Sequence, residues 1–186
     1  MSKLETNQVD PATGTTLTLG TSGDTVALGT GVLQSNMLYP AFEAYLSANQ
    51  TSFPDLTYTK LLCNAEVYDT DGDYDNSSNY RFTPTTAGKY FAYGQIKIEA
   101  GGGNDDAKSL GIKIYKNGSA ITNVERQSLF NLGYQNSPSI SISSVIDMNG
   151  SSDYLELYGS LNSVSNSSAN IGIANNCFFG SYRIGT

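Results

Sequence analysis

Over most of this chain, short runs of alternating apolar and polar residues are separated by turn residues. In Ser139–Met148, Ile140 and Ile142 are followed by Val145 and Ile146, a spacing that predicts a half-buried strand. Similar segments predict further strands at Phe42–Leu46, Thr57–Leu62, Glu66–Tyr68, Lys89–Ile98, Ser109–Tyr115, Tyr154–Tyr158 and Asn176–Ile184. Many short strands at this spacing are typical of an all-β antiparallel sandwich or jelly roll.

Turn residues mark where several of these strands end. The tetrad Lys116-Asn-Gly-Ser119 predicts a tight hairpin, since Asn-Gly is a preferred pair for a two-residue turn. Asn149-Gly150 turns the chain toward the next strand, whose alternation places Tyr154, Glu156 and Tyr158 on one face and Leu155 and Leu157 on the other. Only Tyr39–Ala48 could form a helical turn instead of a strand.

The first 38 residues follow a different pattern. Thr16–Asp24 and Thr25–Thr30 repeat with a nine-residue period, in which two apolar positions at strand spacing precede a Gly turn. The matching pairs are Thr16 and Thr25, Leu17 and Val26, Leu19 and Leu28, Gly20 and Gly29, and Thr21 and Thr30. Two such units cannot bury their own Leu and Val, so we predict that copies of the chain wrap into a short β-stalk. A flexible Gly/Thr linker is the alternative.

This change of pattern predicts two parts of the chain. Residues 1–38 form the stalk or docking segment, and residues 39–186 form the jelly-roll head domain.

Composition and charge remove several classes of function. The 186 residues include 10 Lys+Arg against 17 Asp+Glu, a net charge of −7, which disfavours nucleic-acid binding because that needs cations at the phosphates. The chain has no His, which excludes a His-dependent catalytic triad and a His-ligated zinc site. No apolar run reaches about 18 residues, so we expect no membrane insertion. Met1–Pro11 has no apolar core, so we expect no secretory signal.

The richest polar cluster is Asp69–Asn76, in which four aspartates alternate along a turn. Alternating carboxylates can supply oxygen ligands for calcium. Tyr74 and Tyr80 occupy the places where an EF-hand needs its Gly and its bidentate Glu, so the segment is not an EF-hand. A calcium site and a solvated acidic loop both stay open, and we assign no residue as a metal ligand.

No combination of residues predicts catalysis. The second acidic turn, Gly101–Asp106, lacks the Lys and the Ser/Thr of a phosphate-binding loop. No Gly-x-Ser-x-Gly nucleophile motif is present. The glutamates are dispersed along the chain: Glu43, Glu66, Glu99, Glu125 and Glu156. Paired carboxylates for glycoside hydrolysis need only proximity in space, so a hydrolase stays open as an alternative. We assign no catalytic and no cofactor-binding residue, and we expect a protein that is not an enzyme.

Two cysteines and two loops complete the candidate residues. Cys63 and Cys177 lack metal-ligand spacing; buried free thiols and a disulfide both stay open, and the expected lack of a secretory signal favours free thiols. Gln127–Pro138 and Ser160–Asn175 mix Tyr, Asn, Ser and Gly, the residue types of adaptable binding surfaces. We predict that these loops contact a ligand, with solvated connectors as the alternative.

Several motifs resemble those of a known family. The segment from Asp73 to Phe91 contains Tyr74-Asp75, Phe82-Thr83 and Gly88-x-Tyr90, and Phe178-Phe-Gly180 follows near the C-terminus. Together they resemble the complement-type globular head, which belongs with the tumour-necrosis-factor jelly rolls. Ala41-Phe42 suits the first strand of that family. The resemblance covers about Tyr39 to Thr186 and implies a jelly-roll fold.

The resemblance also implies an assembly. Heads of this superfamily are homotrimers, packed around a three-fold axis through aromatic and apolar side chains of one sheet. The Tyr and Phe residues of Lys89–Ile98 and Phe178–Tyr182 are the candidates for that contact, and filling the monomer's own core is the alternative for each. The N-terminal repeats resemble those in fibres and other appendages of tailed bacteriophages.

These expectations combine into one functional prediction. The chain is a virion structural protein of a tailed phage: a homotrimeric appendage of the fibre or spike type, with a head that binds a host surface glycan or protein. Its N-terminal segment contacts other virion proteins. A trimeric capsid decoration protein, docked on the shell through that segment, is the alternative. A free-standing host protein that binds a soluble ligand or carbohydrate fits the repeats less well.

Overall fold

A computed structural model describes residues 13–14, 18, 25, 30, 40–99, 107–121, 125–128, 138–163, 169–171 and 175–185. The chain divides into two units, Met1–Ser35 and Asn36–Thr186, and every strand of the described residues belongs to the second. The predicted stalk lies almost wholly outside the described residues, so the stalk and its boundary at residue 38 stay predictions. Within the described ranges, no helix is long and apolar enough to cross a membrane.

The described residues form fourteen β-strands and no helix. In chain order the strands are β1 (Ala41–Tyr45), β2 (Gln50–Phe53), β3 (Thr59–Lys60), β4 (Ala65–Asp69), β5 (Tyr74–Asp75), β6 (Arg81–Phe82), β7 (Gly88–Glu99), β8 (Ala107–Lys116), β9 (Ser119–Ala120), β10 (Glu125–Ser128), β11 (Ser139–Met148), β12 (Leu155–Ser163), β13 (Ala169–Ile171) and β14 (Phe178–Gly185).

These strands pair into two antiparallel sheets. The first sheet has the order β2-β13-β7-β14-β1-β4, with β11 also paired to β7. The second sheet has the order β10-β8-β12-β6-β5, with β3 paired to β12 and β9 to β8. The sheets share one core, which confirms the predicted all-β jelly-roll sandwich.

The core lies between the sheets, because alternate residues of the long strands point inward. In β11 the buried residues are Ile140, Ile142, Ile146 and Met148, which confirms the half-buried strand that the alternation predicts. In β12 the buried leucines are Leu155, Leu157 and Leu161. Burial of such side chains contributes about 1.5–3 kcal/mol each relative to leaving them in water.

Aromatic rings fill the part of the core next to β1, where side chains from both sheets meet. The ring of Phe42 stacks on Tyr74 and on Phe82, each with centroids 4.5 Å apart, and meets Phe179 edge-on at 5.1 Å. Tyr90 adds an edge contact with Phe82 at 5.7 Å. Residues that carry the family resemblance thus lie in the core of this chain. The helical alternative for Tyr39–Ala48 is wrong, because Ala41–Tyr45 forms the strand β1 and its Phe42 side chain points into the core.

The predicted hairpin at Asn117-Gly118 is present between β8 and β9. Both residues have positive φ, 52° for Asn117 and 76° for Gly118, as a tight hairpin turn requires. The Asn117 amide also donates to Asp153 Oδ1 at 2.7 Å, and Lys116 forms an ion pair with the other carboxylate oxygen at 2.8 Å. Asp153 thereby ties this hairpin to the turn between β11 and β12.

Gly150 is expected to be the least replaceable residue of that turn. Its φ is 68°, and an added Cβ would lie 2.2 Å from the backbone nitrogen of Ala87. Backbone cannot move aside as a flexible side chain does, so Gly150→Ala should cost about 3 kcal/mol. Gly72→Ala is the matched control, since Gly72 has φ 72° but open space around it, and should cost about 1 kcal/mol. Urea unfolding of both variants checks the difference; equal losses would contradict it.

Ser181 is a buried polar residue of the first sheet, between Phe42 of β1 and Ala92 of β7. Its hydroxyl has no hydrogen-bond partner among the described residues. A buried hydroxyl without a partner costs free energy, so Ser181→Ala is expected to stabilise the fold by about 1 kcal/mol. Thermal unfolding should show a higher midpoint for this variant and little change for the exposed control Ser78→Ala. A loss of stability in Ser181→Ala would show that the hydroxyl is bonded.

Candidate functional site

The outer face of the first sheet carries a cluster of aromatic and apolar side chains, here called the aromatic face. Strand register aligns Val145 of β11, Phe91 of β7 and Tyr182 of β14 in one transverse row. The Phe91 and Tyr182 rings lie 5.5 Å apart, and Val145 is 54% exposed. The next row contains Tyr93, whose ring lies 6.2 Å from that of Phe178. The sheet therefore presents apolar side chains on both of its faces.

Tyr93 is held in place at the centre of the aromatic face. Its hydroxyl donates to Glu43 Oε2 at 2.7 Å, and its ring covers Gly180, where a Cβ would lie 2.4 Å from the ring. Burial, together with the hydrogen bond to Glu43, raises the pKa of Tyr93. The hydroxyl therefore keeps its proton and anchors the ring against the sheet.

Beside Tyr93, the aromatic face opens into a hollow of about 250 Å3. It is lined by Glu43, Tyr45, Val67, Asn175 and Phe178. Val67 lies on β4, which pairs only with β1 among the described strands. The hollow is mostly apolar with one carboxylate, a composition that suits a protein contact better than a reaction.

The aromatic residues predicted as candidates for the trimer contact fall into two groups in the structure. Alternation turns Phe91, Tyr93, Phe178 and Tyr182 outward, where each is half-buried, whereas Tyr90 and Phe179 are fully buried in the core. The core alternative therefore holds for Tyr90 and Phe179, and trimer contact stays a prediction for the four outward-facing residues.

The aspartates of Asp69–Asn76 accept hydrogen bonds from nearby backbone. Asp69 accepts the N–H groups of residues 72–74, Asp75 accepts those of residues 77–79, and Asp73 accepts that of Thr85 at 3.0 Å. The bonds from Ser78 and Ser77 lower the pKa of Asp75. Among the described residues, no group of three or more His, Cys, Asp or Glu could hold a metal ion. These hydrogen bonds give Asp69, Asp73 and Asp75 a structural role in the turn, and calcium binding by this segment stays an alternative.

Cys63 and Cys177 are both buried thiols, and Cys177 Sγ accepts the N–H of Lys97 at 3.1 Å. Cys177 precedes β14 and Cys63 precedes β4, and β1 lies between those two strands. Burial raises the pKa of the Cys63 thiol, so it stays protonated and packs as a small apolar group.

The glutamates with described side chains lie on three different strands. Glu43 lies on the outer face of the first sheet, Glu156 lies on that of the second, and Glu66 is exposed on β4. Gly101–Asp106 lies outside the described residues. Glycoside hydrolysis needs two carboxyl groups within about 10 Å, across one substrate. Glu43 and Glu156 lie on opposite outer faces of the sandwich, too far apart to flank one substrate.

The predicted ligand loops are described only in part. Ser160–Ser163 belongs to β12, Ala169–Ile171 forms β13, and Gln127-Ser128 ends β10. Residues 129–137, 164–168 and 172–174 lie outside the described residues, so ligand contact by these loops stays a prediction.

The outer face of the second sheet was not predicted to be a binding surface. Tyr58, Tyr115, Tyr154 and Tyr158 lie there beside cationic side chains. The alternation of Tyr154, Glu156 and Tyr158 was the available signal, but only strand pairing places Tyr115 next to Tyr158.

No model of a known protein family matches this chain, and neither does any curated protein. Among solved structures, the chain is similar to murine APRIL, with a TM-score of 0.55 and 11% identity over 77% of this chain and 98% of that one. The Eiger TNF of S. frugiperda gives a TM-score of 0.51 and 11% identity, over 77% of this chain and 91% of that one. At these identities the likeness shows the fold: a jelly roll of the tumour-necrosis-factor type.

Proposed function

We propose that this chain is a homotrimeric, non-enzymatic structural protein of a tailed-phage virion. It forms an appendage of the fibre or spike type, and its jelly-roll head binds a cell surface. The aromatic face is the observation that carries this proposal.

The aromatic face supports a trimer because a single copy leaves it in water. Phe91, Tyr93, Phe178 and Tyr182 are only half-buried, and Val145 is more than half exposed. Contiguous exposed apolar side chains of this kind mark interaction surfaces. Three copies packed around an axis, as in the family that the sequence resembles, would bury the same patch on each subunit.

The N-terminal repeats support the virion setting. Their Leu and Val residues need neighbouring strands, and a trimeric head would bring three copies of the repeat together. Three heads on one rigid stalk bind a surface by effective concentration, so each site can be weak and shallow.

Locating the chain in a particle tests this function. An antibody raised against residues 40–186 would be used to label particles from the source of this sequence, which electron microscopy then images. Label at the tip of a tail appendage is the expected result. Label over the shell would identify a capsid decoration protein instead, and purified particles that lack the chain by mass spectrometry would overturn the proposal.

A further inference from the structure

Four tyrosines and three cationic side chains form a platform on the outer face of the second sheet. The tyrosine platform consists of Tyr58, Tyr115, Tyr154, Tyr158, Lys60, Arg81 and Lys113. Tyr115 of β8 and Tyr158 of β12 stack with ring centroids 4.0 Å apart. Tyr58 lies across Gly111 of β8, where a Cβ would be 2.3 Å from its hydroxyl. Rings fixed in this way present an ordered aromatic surface.

Two of the cations lie over tyrosine rings. Lys113 Nζ is 4.0 Å from the centroid of Tyr58, and Arg81 Cζ is 4.6 Å from that of Tyr154. Neither cation forms an ion pair with a carboxylate of the described residues. Each therefore keeps a positive charge that an external anion can meet.

The acidic residue beside the platform, Glu156, is already neutralised by Lys60. Glu156 is 5% exposed and forms an ion pair with Lys60 at 2.5 Å, and Tyr158 donates to its other oxygen at 3.3 Å. Burial and the nearby Glu156 charge raise the pKa of Tyr158 to about 12. The remaining charge of the platform is that of Arg81 and Lys113.

The two sheets differ in charge although the whole chain is acidic. Strands of the second sheet carry six Lys or Arg against three Asp or Glu, whereas strands of the first carry three against five. The cations of the second sheet are Lys60, Arg81, Lys108, Lys113, Lys116 and Arg126. The net charge of the chain is −7, so this sheet is a local exception. It offers charge complementarity to an anion that the rest of the surface would repel.

A polar hollow extends the platform past Tyr58. It has a volume of about 100 Å3, and its lining adds Leu56, Ser109, Ser160, Leu161 and Asn162. Hydroxyl and amide groups of this kind exchange hydrogen bonds with other hydroxyls. At about 100 Å3 the hollow is too small to enclose a whole small-molecule ligand, so it suits one unit of an extended chain.

We propose that the tyrosine platform binds an anionic polysaccharide. Tyrosine rings pack against the C–H faces of sugar rings, Lys113 and Arg81 meet widely spaced carboxylates, and the hollow accepts hydroxyl groups. A nucleic acid fits less well, because its closely spaced phosphates would meet only two unpaired cations on an acidic protein. The inference rests on the proposed cell-surface function for its setting and names the ligand class of the head.

Binding of three polymers to the purified full-length chain tests the inference. The probes are polygalacturonate, neutral dextran and poly-L-glutamate, each titrated by calorimetry at low salt. Only polygalacturonate should bind, because it joins sugar rings to carboxylates. If poly-L-glutamate binds equally well, the site recognises negative charge and not sugar rings. If dextran binds equally well, the cations contribute nothing to binding. Either result overturns the inference.

Substitutions locate the site. Lys113→Gln and Tyr115→Ala should each weaken polygalacturonate binding about fivefold to tenfold, since each removes one interaction of about 1 kcal/mol. Lys97→Gln, a lysine of β7 in the first sheet, is the matched control and should leave binding unchanged. Thermal unfolding confirms that each variant is folded. If no polymer binds, or if Lys97→Gln weakens binding as much as Lys113→Gln does, the inference fails. Such a failure leaves the proposed function standing, because the trimer and its place in a particle are measured independently.

Discussion

Replacing Phe91 with aspartate is expected to convert the trimer into monomers. Phe91 stands at the centre of the row formed with Val145 and Tyr182, so packing around a three-fold axis would bury the new carboxylate without a partner. An unpaired buried charge costs about 3–5 kcal/mol, which corresponds to about a thousandfold weaker association. Three copies also bring like charges together. Light scattering on an eluting size-exclusion peak measures the change in mass.

Tyr115→Asp is the matched control for this substitution. Tyr115 is also a half-buried aromatic residue on an outer sheet face, but it belongs to the second sheet. The same change there should leave the trimer intact. Dissociation of both variants would point to general destabilisation, and a trimeric Phe91→Asp would show that the aromatic face is not the contact.

Replacing Phe42 with alanine is expected to cost about 3–5 kcal/mol of folding free energy. Phe42 is fully buried and contacts three rings, those of Tyr74, Phe82 and Phe179. These rings come from both sheets, so the cavity would open where the sandwich is joined. The residue anchors the motif on which the family resemblance rests.

Urea unfolding checks this value, and it should be done in the Phe91→Asp background so that association does not add to stability. The control is Leu62→Ala, since Leu62 is 38% exposed, and it should change the free energy of unfolding by about 0.5 kcal/mol or less. A loss in Phe42→Ala no larger than that of the control would contradict the assigned core.

Strong local patterns made much of the fold predictable. Ser139–Met148 has the predicted bounds because its alternation and its turn residues agree. Gln50–Phe53, Glu125–Ser128 and Ala169–Ile171 were missed as strands, since they are short, and their assignment depends on pairing with β13, β8 and β7. Strand preference depends on such neighbours more than on residue type.

The candidate sites were predictable only in part, for a related reason. Alternation alone separates Phe91 and Tyr93 from Tyr90, but the packing of Tyr90 against Phe82 decides which set faces the core. The tyrosine platform needs the register between β8 and β12, which brings Tyr115 beside Tyr158. A single sequence does not encode that juxtaposition in any local pattern.

The mass of the unmodified protein in solution shows whether the chain forms a trimer. Sedimentation equilibrium at micromolar concentration should give three times the chain mass of 19.8 kDa, about 59 kDa. A mass of 19.8 kDa at every concentration tested would show that the aromatic face is stable in water, and it would contradict the account.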